Sequence, residues 1–148
     1  MNNRRARQRL QLQLAQIQEV QQNRAPTVKQ AVETVEKTYF ASDDYAALQR
    51  RMASGQRLKT DDWADVERHM KSVYPGFISQ LRGLRPLSEL EYAVCLLIKL
   101  RIPPKDIAQV LARDVSTIST VRSRLYAKVF GTKGGAKDWD DFILSMGL

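Results

Sequence analysis

Apolar residues recur every three or four positions along most of the chain, and no strand-like alternation persists. That period predicts helices throughout, and hence an all-α protein. Asn2–Arg24 reads as one polar helix rich in Gln, Arg, Leu and Ala. Leu10, Leu14, Ile17 and Gln21 fall on one face by 4-3-4 spacing, a short run that makes this a candidate coiled coil, with Leu12 and Val20 off the line. Pro26 interrupts it near Arg24–Ala25. Thr27 is placed to cap a second helix, whose Val28, Val32, Val35 and Tyr39 repeat the 4-3-4 spacing. Ser42-Asp43-Asp44 is a break and N-cap, after which Tyr45, Leu48 and Met52 mark a short helix ending at Ser54-Gly55. Thr60-Asp61-Asp62 opens another helix, with Trp63, Val66, Met70 and Val73 as its apolar stripe and Tyr74-Pro75-Gly76 as its stop. Phe77, Ile78 and Leu81 outline a short successor. The chain divides on this reading into an N-terminal helical dimerisation segment, 1–59, and a bundle, 60–148.

Residues 87–130 read as three tightly joined helices. Ser88 and Glu91 have the spacing of a capping box. Arg101-Ile102-Pro103 ends the first helix, and Pro104 suits the first position of the second, where its missing N–H costs nothing. Small Ala108 allows a close helix crossing, and Asp114 is placed to cap the third helix. In that third helix Ile118, Val121, Leu125 and Val129 form the core stripe. The opposite face carries Thr117, Ser119, Thr120, Ser123 and Arg124, bordered by Arg122, with Lys128 a turn further on. Lys137–Met146 makes a closing helix, packed through Trp139, Phe142 and Ile143.

Charge sharpens this picture. The formal net charge is +8 over 148 residues. Nine Lys and Arg against Asp106 and Asp114 alone lie between Lys99 and Lys137. Such a stretch attracts polyanions. Short hydroxyls interspersed with Arg suit a helix laid in the DNA major groove, where they bond phosphates and base edges.

Other chemistries find little support. One Cys and one His exclude an internal disulfide and a Cys/His zinc site. Cys95 reads as a small core hydrophobe, and His69 as an exposed residue without an acid–base partner. Asp61, Asp62, Asp65 and Glu67 are explained by a helix start rather than a metal. Gly131–Lys137 nearly spells a phosphate-binding loop, but Ala136 and Asp138 stand where Gly and Ser/Thr are required. Its lysines, Lys133 among them, are expected to meet phosphate or solvent. No nucleophile, base and oxyanion donor assemble, so no enzyme, cofactor or metal is expected. No apolar run is long enough to span a bilayer, and Gln-rich sequence follows the basic start, so a cytoplasmic location is expected.

Residues 87–130 resemble the helix-turn-helix of LuxR-type response regulators and region 4 of sigma factors. The resemblance is carried by Leu87-Ser88, Lys105-Asp106-Ile107-Ala108, Val115-Ser116-Thr117-Ile118, Arg122-Ser123 and Leu125-Tyr126. From about Trp63 to Gly147 the chain is similar to the output module of tetratricopeptide-sensor transcriptional regulators of Bacteroidota. That likeness rests on Trp63, Tyr74-Pro75-Gly76-Phe77, Cys95-Leu96-Leu97-Ile98, Arg122-Ser123-Arg124-Leu125-Tyr126, Lys128-Val129-Phe130, Trp139 and Phe142-Ile143. The resemblance implies a transcriptional regulator with 115–130 as recognition helix. Ser119, Thr120 and Ser123 would reach base edges, while Thr117, Arg122 and Arg124 would hold the backbone. Lys128 and Lys133 complete the expected DNA-binding set. Relatives of this kind often carry a periplasmic sensor, a membrane helix and a coiled coil before the module. This chain looks like the cytoplasmic end of one, or a free-standing form. Ser and Thr stand where LuxR-type proteins often have Lys, which makes dimerisation more necessary. The expected partners are double-stranded DNA, a second copy of the chain, and RNA polymerase. Two other classes stay open: a helical protein-interaction adaptor whose helix-turn-helix does not bind DNA, and a small nuclease.

Overall fold

The three-and-four spacing is realised as helix at every predicted element. A computed structural model describes residues 2–22 and 27–147. It is all-α, with nine helices and no strand among the described residues. They are α1 (Asn2–Gln22), α2 (Val28–Phe40), α3 (Asp43–Ala53), α4 (Thr60–Val73), α5 (Phe77–Leu84), α6 (Glu89–Lys99), α7 (Pro104–Val110), α8 (Val115–Phe130) and α9 (Ala136–Ser145). The expected break at Pro26 lies outside the described residues.

The chain forms two compact units, one ending at Ala31 and one beginning at Val32. In the first, α1 leaves Leu10, Leu12 and Leu14 exposed. A reciprocal cap opens α2: Gln30 N donates to Thr27 Oγ1 (3.2 Å) and Thr27 N to Gln30 Oε1 (2.9 Å).

The second unit is built around α6, where every residue from Ala93 to Lys99 is buried. An amphipathic helix needs one covered face; this one is wrapped by α4, α7, α8 and α9. Its start is the predicted capping box, with Ser88 N donating to Glu91 Oε1 (2.8 Å) and Glu91 N to Ser88 Oγ (3.1 Å). Residues 32–59 join this body through tertiary contacts. Tyr45, Leu48 and Met52 bury the inner face of α3, which packs on α7. Tyr45 Oη donates to Leu100 O (2.6 Å), and Leu58 N donates to Val110 O (3.0 Å).

The turns on either side of α7 share one device. Arg101 (φ 62°) and Ala112 (φ 53°) are left-handed without being glycine. After α6, Ile102 N bonds Leu97 O and Arg101 N bonds Ile98 O. After α7, Arg113 N bonds Ala108 O and Ala112 N bonds Gln109 O. Each pair is a Schellman closure, which satisfies the last carbonyls of a helix and reverses the chain within a few residues. Pro104 occupies the start of α7 as its missing N–H predicts. Asp114 flanks α8, but its side chain makes no capping hydrogen bond, contrary to expectation.

At the far end of the core, Lys99 is 1% exposed. Its ammonium donates to Leu144 O (2.9 Å) and Met146 O (2.5 Å), and lies 4.1 Å from the centre of the Tyr74 ring. It thereby satisfies carbonyls at the end of α9.

Candidate nucleic-acid interface

Two core residues, Ile118 and Leu125, set the rotation of α8. With 3.6 residues per turn, Ser116, Ser119, Thr120 and Arg124 face outward and are exposed, while Thr117 and Ser123 are half-buried at the edges. Ser123 Oγ donates to Thr120 O (3.2 Å), a bond local to the helix. No Asp or Glu lies between residues 115 and 137.

Arg122 does not belong to this face. It follows Ile118 by four residues and precedes Leu125 by three, which puts it on the core stripe. Only 8% of it is exposed. Its Nε donates to Asp140 Oδ1 of α9 (2.9 Å), and its terminal nitrogen pairs with the other carboxylate oxygen. The expected backbone-contacting role of Arg122 is therefore replaced by a structural one: a forked ion pair clamping α8 to α9. Lys128 is partly committed as well, its Nζ lying 3.5 Å from Glu91 Oε2. Burial pushes the Glu91 carboxyl up, but the Ser88 amide, the Lys128 ammonium and the Ser88 hydroxyl outweigh this and hold it below its ordinary value.

The basic stretch is thus thinner at the surface than along the chain. Lys99 is buried, Arg122 is paired, Lys128 meets Glu91, and Arg101 lies 3.4 Å from Glu36 and 3.8 Å over the Phe40 ring. Lys105, Arg113, Arg124, Lys133 and Lys137 remain exposed with no carboxylate partner among the described residues.

The glycine-rich loop has a structural explanation at each glycine. Gly131 (φ 68°) closes α8, its N–H bonding Ala127 O (2.9 Å). Gly134 lies under the Tyr126 ring, where an added Cβ would sit 2.2 Å from a ring carbon. The amide of Gly135 is taken by Asp138 Oδ2 (2.7 Å), which starts α9.

His69 departs from its expected exposure. It is 1% exposed, and its Nδ1 lies 2.5 Å from Tyr39 Oη. Its Nε2 lies 3.1 Å from an Arg68 nitrogen and 3.5 Å from Asp65. The Tyr39 ring also packs on Phe40 and Tyr45, so this group is a joint between α2, α3 and α4. Tyr39's hydroxyl is raised well above its usual range, first by burial. Cys95 is buried as expected, and burial pushes its thiol up to about 12, which makes it a poor nucleophile. Among the described residues no group of three His, Cys, Asp or Glu could hold a metal. No helix among them is long and apolar enough to cross a membrane.

Ser116 and Lys105 help to carry the family resemblance but were not in the expected DNA-binding set. Ser116 is one residue into α8 on the outward arc, and Lys105 is exposed in the first turn of α7; helical phase from Ile118 and Ile107 is the signal that finds them. No family model, curated protein or solved structure matches the chain.

Proposed function

We propose that the chain is a DNA-binding transcriptional regulator that lays α8 in the major groove. The observation that supports this best is the outward face of α8. Ser116, Ser119, Thr120, Ser123 and Arg124 form a continuous strip of short donors and one forked cation, with no acid among them. A short turn joins α7 to α8, and Lys105, Lys133 and Lys137 are free to meet phosphates on either side. In this reading Ser119, Thr120 and Ser123 read base edges, while Thr117 and Arg124 hold the backbone. Lys128 contributes after exchanging Glu91 for phosphate.

One copy offers few cations, so the reading includes two copies joined through α1. Leu10 and Leu14 are 56% and 51% exposed on its surface. Two half-sites about 34–36 Å apart then match a two-fold protein. The test is selection of bound duplexes from a random pool at two salt concentrations. An enriched motif with two-fold symmetry is expected, with affinity falling by about 0.9 log unit per log unit of salt for each phosphate contact. R124A and the pair S119A/T120A should weaken retention, R124A across all sequences and S119A/T120A chiefly at the selected one. No enriched motif at either salt refutes the proposal and favours an adaptor that binds protein instead.

A further inference from the structure

One cleft of the second unit is lined by no residue of α8. It holds about 410 Å³, within the range of small-molecule sites. Its floor is apolar and buried, made by Leu58, Ala93 and Val110, and its walls are the half-buried Trp63, Leu90 and Leu111. An indole left half in solvent beside two leucines is a surface that gains by being covered.

Four charges line the same cleft, and they are not equivalent. Glu67 accepts a hydrogen bond from Tyr92 Oη (3.2 Å). Glu89 stands in the first turn of α6, where the helix dipole favours a carboxylate. Among the described residues Arg57 and Arg113 have no carboxylate partner; the Arg113 guanidinium folds back toward the carbonyls of Leu111 and Ala112 (3.4 and 3.3 Å). Both belong to one rim. The bond from Leu58 N to Val110 O (3.0 Å) pins the segment carrying Arg57 against the end of α7, three residues before Arg113. Two such guanidiniums over an apolar floor call for an anion with an apolar body. The two carboxylates in the same cleft disfavour a dianion and select a single negative charge.

We propose that this cleft binds a small monocarboxylic acid with an apolar or aromatic body, its carboxylate held by Arg57 and Arg113 and its body laid against Trp63, Leu90 and Leu111. The site lies outside the proposed DNA-contacting face, and its test involves no DNA. Trp63 is a built-in reporter, because the other tryptophan, Trp139, is wholly buried. The full chain is titrated with 4-phenylbutyrate and with 4-phenyl-1-butanol, which shares the apolar body without the charge. Trp63 emission should change saturably with the acid, at a Kd about ten-fold lower than with the alcohol, the size expected of one charge-assisted contact. In R57Q/R113Q, whose replaced side chains are exposed, the acid should bind no better than the alcohol while the helical circular dichroism is unchanged. Equal affinity for acid and alcohol overturns the proposal. So does undiminished acid binding in R57Q/R113Q, or no saturable change across the millimolar range.

Discussion

Two arginines two positions apart in α8 carry opposite roles. Arg124 is exposed and has no carboxylate partner among the described residues, whereas Arg122 is buried in a forked pair with Asp140. Removing one partner of such a pair strands the other, at a cost of several kcal/mol in a full interior. Asp140 keeps some solvent, so R122A is expected to lose about 2 kcal/mol of unfolding free energy in urea, and R124A to stay within about 0.5 kcal/mol of the parent. Equal losses would show that Arg122 is as peripheral as its charge first implied. Lys99 is read through pH. Burial pulls its ammonium down to about 8 from an ordinary 10.5, against the favourable Glu36 carboxylate. Between those values the unfolded chain binds the extra proton, so stability from this group rises with pH across the window. Urea unfolding at pH 7 and at pH 9.5 should therefore show the native chain gaining on K99M at the higher pH, and a pH-independent difference would contradict it.

Elements were largely legible because each rests on a local rule. The Ser88/Glu91 box, Pro104 at the start of α7, the Ser42 cap of α3 and the stripes of α4 and α8 all follow from spacings within one or two turns. What escaped depends on distant partners. Arg122 is drawn inward by an aspartate eighteen residues away, His69 by a tyrosine thirty residues before it, and α3 by α7. The cleft around Trp63 gathers residues from 57 to 113, and no local pattern marks it. The α7–α8 turn was foreseen, but not its left-handed alanine. A non-glycine residue there stores about 1–2 kcal/mol, and glycine returns part of that as chain entropy. A112G should thus stabilise the fold by about 0.5–1 kcal/mol in urea, and a loss would mean that the Ala112 methyl makes contacts outweighing the relief of strain.

At the scale of the whole molecule, the proposed function asks something different of each unit. The second unit supplies one strip of α8 and a few free cations, and one such strip covers one half-site. The first unit supplies α1, whose 21 residues span about 32 Å at 1.5 Å per residue. It presents Leu10 and Leu14 four residues apart, on one face, to solvent. Burying such a pair against a second copy releases apolar surface at about 25 cal/mol per Å², a modest gain for so short a seam. Pairing in free solution is therefore expected to be concentration-dependent, and binding of both half-sites on one duplex should drive it by mass action. L10E/L14E sets like charges across that seam without touching the second unit. In sedimentation with a two-fold duplex, the native chain should give a two-to-one complex, and the variant a one-to-one complex of lower affinity at unchanged helical content. A variant that still loads two copies with undiminished affinity would show that the copies meet elsewhere, and would leave the leucines of α1 to a different partner.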